Sequence, residues 1–290
     1  MSPLAAVGPN AEQITYWNET SGAKWVALAD VIDAQIAPLG RAVMERAGVR
    51  AGERVLDVGC GCGHTSAELA ERVGREGAVL GADLSAPMLE AARRRAASAQ
   101  LSNVRFENVD AQTHAFAAES RDLVYSRFGV MFFADPRAAF ANLRRALRPD
   151  GRLAFVCWQA LARNDWARIP LEAAARHVPL PPPPAPGAPG PFSFADAERV
   201  RGILEAAGFA QVRAEPLERE LVLGGEGADL DEAVRFVLQA GPTGAALREA
   251  PESARARVPE AVREAIAPYA TPQGVRMASA SWVVTAVRAG

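Results

Sequence analysis

Between Glu53 and Trp158, short apolar runs alternate with apolar stripes at helical spacing, the pattern of successive parallel βα units. The first run, Arg54–Val58, leads through a glycine-rich turn into a helix over His64–Val73, with Ala67, Leu69, Ala70 and Val73 on one face. A second run, Ala78–Ala82, ends at Asp83. Ser85 is placed to cap the next helix, Pro87 sits in its first turn, and Met88, Leu89, Ala92 and Ala96 form its stripe. Strands are expected at Val104–Asn108 and Leu123–Ser126. Asp135-Pro136 opens a helix bearing Phe140, Leu143 and Leu147, with Arg144, Arg145 and Arg148 at its negative end. Pro149 stops it, and Asp150-Gly151 turns into a fifth strand, Leu153–Trp158.

Outside this block the pattern changes. Residues 11–48 are helical, with Leu28, Val31, Ile32, Ile36, Leu39 and Val43 on a stripe that Pro38 is expected to kink. Eight of the 21 prolines fall between Pro179 and Pro191, which predicts a stiff, extended connector. Beyond it come a helix over Ala195–Ala207 closed by Gly208, a strand near Gln211–Pro216, and helices near Leu230–Gln239 and Pro259–Ala267. Ser281–Val287 is a final strand. Three parts follow: an N-terminal helical lid (1–48), a Rossmann-like core (49–158), and cap helices with the last strands of the sheet (159–290).

Composition narrows the function. Of 290 residues, 49% are hydrophobic and 23% charged, the balance of one large globular α/β domain with additions. The 32 basic residues nearly cancel the 34 acidic ones, which argues against a nucleic-acid partner. Three cysteines are too few for a disulfide framework and point to a reducing, cytoplasmic setting. Met1–Asn10 lacks a basic start and a sustained apolar run, so neither a signal peptide nor a membrane anchor is expected there.

The chemistry concentrates at Val55–His64. Gly59, Gly61 and Gly63 lie between a buried strand and a helix start, where glycine admits positive φ and lets a ligand approach the backbone. In open parallel sheets, ligands sit at the carboxyl ends of the strands. Asp83, 24 residues past Gly59, ends the next strand, where its carboxylate can accept both hydroxyls of a ribose. The dinucleotide spacing Gly-x-Gly-x-x-Gly is absent, and Asp57 stands two residues ahead of the turn. That carboxylate would repel a pyrophosphate but suits an ammonium or a sulfonium, which points to S-adenosylmethionine.

Val55–His64, Gly81–Met88, Asn108–Ala111 and Leu123–Phe128 resemble the successive motifs of class I S-adenosylmethionine-dependent methyltransferases, in the small-molecule branch that includes ubiquinone/menaquinone-type enzymes. The resemblance implies a seven-stranded, mostly parallel sheet of order 3-2-1-4-5-7-6 with its last strand antiparallel. It also implies roles. Gly59 and Gly61, with Cys60 between them, line the methionine part, and Asp83 holds the ribose. Leu84 and Met88 flank the adenine, Asp110 and Ala111 meet its amino edge, and Ser126 lies near the methionine amine. Asp57 acts through ordered water or backbone groups. Tyr16, Trp17 and Trp25 resemble aromatics that close over the cofactor.

Other features carry less. Cys60-x-Cys62-x-His64 has no second ligand pair at zinc spacing, so no metal is expected. His64 starts a helix, where its charged form is disfavoured. His114 and His177 are the candidates for a catalytic base. Arg127 is expected to pair with a lid carboxylate, and Val130–Phe133 to pack under the lid. The reading is a methyltransferase that moves a methyl group to a small, hydrophobic, quinone-like or secondary-metabolite acceptor. An NAD(P)-dependent oxidoreductase and a non-catalytic S-adenosylmethionine-binding module are the alternatives.

Overall fold

The apolar runs become strands β1 (Arg54–Val58), β2 (Ala78–Asp83), β3 (Val104–Asn108), β4 (Arg121–Arg127), β5 (Leu147–Trp158), β6 (Phe209–Leu223), β7 (Ala270–Thr271) and β8 (Gly274–Arg288). They form one sheet in the computed structural model, which describes residues 4–182, 184–185 and 187–289. Its path is β3-β2-β1-β4-β5-β8-β6, the expected order with β8 in the seventh strand's place. All pairings among β1–β5 are parallel, and β8 runs antiparallel to both β5 and β6. The sheet has eight strands instead of seven because the two-residue β7 folds back on the start of β8. Two residues are too few to leave a period in the sequence.

The helical stripes give α1 (Ala11–Thr15), α2 (Gly22–Ala27), α3 (Ala29–Ala47), α4 (His64–Val73), α5 (Ala86–Ser98), α6 (Pro136–Ala146), α7 (Asp165–Ala175), α8 (Ala197–Ala206), α9 (Leu230–Gln239), α10 (Gly241–Glu249), α11 (Glu252–Arg255) and α12 (Val258–Ile266). Three expectations change. The N-terminal helix breaks at a π turn (Tyr16–Thr20) and at Leu28, while α3 continues through Pro38. Leu147 and Arg148 leave α6 for β5, where Leu147 pairs with Arg121 and the Arg148 guanidinium bonds Asp122 at 2.6 Å. The helices α7, α10 and α11 appear where the sequence pattern named none. The proline connector lacks helix and strand at its described residues; Pro183 and Pro186 lie outside them, as do Met1–Pro3 of the N-terminal expectation.

One apolar core fills the sheet's faces, with Tyr125, Phe140, Phe155 and Phe194 fully buried. A second core belongs to the cap. β6 and β8 overrun the end of β5: Trp158 pairs with Ser281, whereas beyond it Glu218–Leu223 pair with Val275–Ala280, flanked by the short β7 at Val275. This two-stranded extension rises past the carboxyl ends of the parallel strands. Its Leu223, Val275 and Met277 pack with Ile32 of α3, Ala173 of α7, Val237 of α9 and Val262 of α12. The cap is thus built from a strand overhang plus the helices inserted between β6 and β8.

Asn164 ties cap to sheet. Fully buried, its Nδ2 faces the carbonyls of Gln159 (3.2 Å), Ala160 (3.1 Å) and Ala280 (3.0 Å), and its Oδ1 accepts from Ala280 N (3.0 Å) and Trp166 Nε1 (3.1 Å). Replacement by alanine takes the acceptor from Ala280 N and Trp166 Nε1 and a donor from Gln159 O, while Ala160 O and Ala280 O keep the backbone donors Arg163 N and Gln159 N. Asn164→Ala should lower unfolding stability by roughly 2–4 kcal/mol, read as a shift in urea midpoint; a shift below about 0.5 kcal/mol would remove this anchor from the account.

Candidate functional site

The turns after β1 and β4 meet backbone to backbone. A Cβ on Gly59 (φ +67°) would lie 2.7 Å from Gly129 Cα, and one on Gly129 would lie 2.8 Å from Gly59 Cα. Ser126 Oγ stitches the contact by donating to Val58 O (2.7 Å) and accepting from Gly129 N (3.2 Å). Gly59 is therefore needed for the close approach of two chain segments. Gly61 (φ +54°) differs: a Cβ there would meet nothing nearer than Met88 Cε at 4.0 Å, so its glycine leaves open space on the cradle. Gly63 (φ +81°) packs against Ala92 of α5 and starts α4, which has no side-chain cap.

Two buried carboxylates flank the cradle. Asp83 ends β2 and takes one backbone N–H on each oxygen, Gly61 N at 2.8 Å on Oδ2 and Ser85 N at 2.9 Å on Oδ1. Each oxygen keeps a lone pair. Burial raises its pKa against these bonds. Asp57 in β1 has Oδ2 held by Thr65 Oγ1 (2.8 Å) and Ser66 Oγ (2.6 Å), while its buried Oδ1 has no partner. Burial pushes the Asp57 carboxyl up to about 6. An orphaned, fully buried carboxylate oxygen is costly unless a donor completes it. The cradle therefore fits a ligand with vicinal hydroxyls and a cationic amine, as a nucleoside carrying an amino-acid tail has.

The remaining expected residues divide into those near the cradle and those apart from it. Cys60 is buried against Gly81, and burial drives its thiol well above the usual range. Leu84 presents its carbonyl to Asn18 Nδ2 (3.0 Å) and Asn108 Nδ2 (2.8 Å). Met88 packs with Cys62, Trp17 and Trp25. Asp110 is buried beyond β3, and Ala111 O accepts from Asn142 Nδ2 (2.9 Å). Trp17 stands edge-on to Trp25 (5.5 Å) and to Phe132 (5.3 Å), so the N-terminal segment covers the turn after β4. His114 lies instead beside Glu107 (3.7 Å) and Phe116, and His177 follows α7; neither joins the two carboxylates. Arg127 bonds Asp33 of α3 at 2.7 Å, as expected of a lid pair. His64 reaches Asp30 of the same helix at 3.0 Å, and its burial lowers its pKa despite that partner.

Sequence reasoning missed an aromatic stack. Phe128 has φ +61°, left-handed for a bulky residue, and its ring lies on Trp158 at 4.1 Å and 16°. Trp158 meets Trp166 of α7 at 5.1 Å, and Gly241 of α10 closes on the far edge of Trp166, 3.2 Å from where a Cβ would stand. Asn10 and Asn18, which bond the loops after β2 and β3, were missed as well. The one signal available was Gly129 directly after Phe128, and it does not specify the conformation of its neighbour.

Comparison with known proteins identifies the family and the fold. A family model described as a methyltransferase domain matches residues 55–151. The chain is 40% identical over 118 residues to the aklanonic acid methyltransferase DauC of Streptomyces sp. (strain C5), a match covering 41% of this chain and 54% of DauC's length. It is 34% identical over 215 residues to the ubiquinone/menaquinone biosynthesis C-methyltransferase UbiE of Teredinibacter turnerae, covering 70% of this chain and 86% of that protein. The fold matches the YcgJ protein of Bacillus subtilis with a TM-score of 0.56 at 19% identity, over 85% of this chain and 96% of that one.

Two outcomes test the site. Gly61→Val should cost about 1–2 kcal/mol of backbone strain and abolish S-adenosylhomocysteine binding, whereas Gly59→Ala should destabilise the fold more, by about 3 kcal/mol. Thermal unfolding and calorimetry on both variants check this, and equal stability losses would contradict the division of roles. In the ligand-free protein, neutral Asp57 contributes stability that is complete below its ordinary pKa of 3.8 and is lost as pH rises through about 6. Asp57→Asn should therefore flatten the fall in stability between pH 4 and 7 in urea titrations; an unaltered slope would show that Asp57 does not titrate there.

Proposed function

The chain belongs to the class I S-adenosylmethionine-dependent methyltransferases, and we propose that it methylates a small, apolar, planar acceptor enclosed between its core and its cap. Family membership decides against a nicotinamide oxidoreductase. One observation carries the acceptor reading. Phe128 directly precedes Gly129, whose backbone touches the cradle at Gly59, so the aromatic row of Phe128 stacked on Trp158, with Trp166 tilted against it, starts beside the methyl donor's place and runs towards the cap. Aromatic faces at 4–5 Å suit flat, unsaturated rings. DauC and UbiE, named for aklanonic acid and for ubiquinone/menaquinone, are consistent with such acceptors.

S-adenosylmethionine, when bound, supplies a methyl group already activated on sulfonium sulfur. The chain's residues bind and orient. Asp83 holds the ribose hydroxyls, and Asp57 completes its orphaned oxygen with the amine of the methionine part, which Gly59, Cys60 and Gly61 line. Leu84 and Met88 flank the adenine, Asp110 and Ala111 meet its amino edge, and Trp17 covers it. Ser126 secures the turn beside the amine through Val58 O. The lid closes the cofactor side through Arg127–Asp33 and His64–Asp30, and the cap closes the acceptor side. Together they exclude water and hold the acceptor in line with the methyl group, the main barrier-lowering contribution where the methyl donor is already activated. No histidine is assigned as base.

Among the described residues, no helix is long and apolar enough to cross a membrane. Three buried free thiols suit a reducing compartment, and we assign the enzyme to the cytoplasm with no nucleic-acid partner.

Methyl-labelled S-adenosylmethionine, offered with aklanonic acid and with a demethylated quinone, should pass label to an acceptor. Phe128→Ala should raise acceptor KM about tenfold or more while S-adenosylhomocysteine affinity stays within about twofold. Tight S-adenosylhomocysteine binding with no label on any acceptor would leave a binding module; an unchanged KM would move the acceptor away from the stack.

A further inference from the structure

The chain preceding α3 is sewn to the core by asparagine side chains, each bonding where the proposed reading places the nucleoside. Asn108 Nδ2 donates to the carbonyls of Asp83 (2.9 Å) and Leu84 (2.8 Å), and its Oδ1 accepts from Leu4 N (3.1 Å). Asn18 Oδ1 accepts from Ala86 N (2.9 Å), and its Nδ2 donates to Leu84 O (3.0 Å) and Ile14 O (2.7 Å). Asn10 reaches deepest. Only 2% exposed, it accepts from Ala134 N (2.8 Å) through Oδ1 and donates through Nδ2 to Asp110 Oδ1 (2.8 Å).

The consequence lies in how the Asp110 carboxylate is used. Its Oδ1 receives two donors, Asn10 Nδ2 and Gln112 N (2.9 Å), whereas Oδ2 has one long contact, from Thr113 Oγ1 at 3.3 Å. A carboxylate oxygen offers about two acceptor sites, so Oδ1 is filled and Oδ2 retains capacity. Two bonds on one oxygen also fix the carboxylate plane, and so the direction in which Oδ2 presents its lone pairs. The Gln112 bond comes from the local turn; only the Asn10 bond comes from the N-terminal segment, 100 residues away in the chain.

We propose that Asn10 is a positioning residue for base selection: by filling Asp110 Oδ1 it presents Oδ2 to the exocyclic amino group of adenine. This rests on the placement of Asp110 at the adenine edge. Docking of the N-terminal segment and discrimination between an amino-purine and its 6-oxo analogue then become one event, because the same carboxylate serves both. By linkage, a ligand that uses Oδ2 favours the docked segment, and the docked segment favours that ligand. A 6-oxo purine turns a carbonyl towards the carboxylate and loses this support.

Calorimetry of the full chain with S-adenosylhomocysteine and with S-inosylhomocysteine, its 6-oxo analogue, reads the effect directly. The natural protein should prefer the adenosyl ligand by about 10–100-fold, the range of a charge-assisted bond. Asn10→Ala should shrink that preference about tenfold, chiefly through weaker adenosyl binding. Asn10→Asp, which retains the acceptor for Ala134 N but sets a carboxylate against Asp110, should do the same, and the thermal midpoint of each variant, read alongside, separates loss of fold from loss of selection. Equal weakening of both ligands, with the preference intact, is what a purely structural asparagine produces and would overturn the proposal. Asp110→Asn separates the two layers. If it abolishes the preference while Asn10→Ala leaves it, Asp110 reads the base and Asn10 has no part in it. If Asp110→Asn leaves the preference intact with the ligand bound, the base lies elsewhere and both assignments fall.

Discussion

The backbone contact between Gly59 and Gly129 is the constraint from which the site follows. Two strand-ending turns approach so closely that neither has room for a Cβ, and Ser126 seals them with its hydroxyl. On one side of the contact the β1 turn continues through Gly61 into the cradle. On the other, the chain enters Gly129 from Phe128 with φ +61°, a conformation costly for a bulky residue and maintained by what surrounds it. That conformation lays the Phe128 ring on Trp158. In the proposed reading, the cofactor side and the acceptor side thus meet at one point, the geometry that transfer between two bound molecules requires.

The two covers over this point are fastened by different sets of residues. The N-terminal segment docks through buried asparagine side chains, through Arg127–Asp33 and His64–Asp30, and through apolar packing of Trp17 and Trp25 on Met88 and of Leu39, Val43 and Met44 of α3 in the main core. The cap has its own apolar core on the β6–β8 overhang and is fastened by the buried Asn164.

Charge placement gives the cradle its selectivity in the proposed reading. Asp57 and Asp83 lie on adjacent strands, both buried and both raised in pKa by that burial, Asp83 holding backbone amides and Asp57 keeping one oxygen bare. A pyrophosphate would meet two carboxylates here. A cationic amine relieves one of them, which is why the sequence spacing around Asp57 already pointed away from a dinucleotide.

What the sequence determined by itself was local or nearly so. The strands β1–β3 and the helices α4 and α9 appear at or within a residue of their expected bounds, since their caps, turns and periodicities lie within each segment. The glycine turn and Asp83 were legible because a cradle needs those residue types at that spacing. Tertiary structure decided what depends on partners distant in the chain. Leu147 and Arg148 left their helical stripe because Arg121 and Asp122 offered pairing across β4. Ser126 turned its hydroxyl to Val58, and His114 paired near Glu107 instead of joining the cradle. Phe128, Asn164 and Asn10 carried no pattern at all, because each takes its role from groups that folding alone brings within hydrogen-bond or stacking distance. A sequence records which side chains are available; close packing between remote segments selects which of them meet.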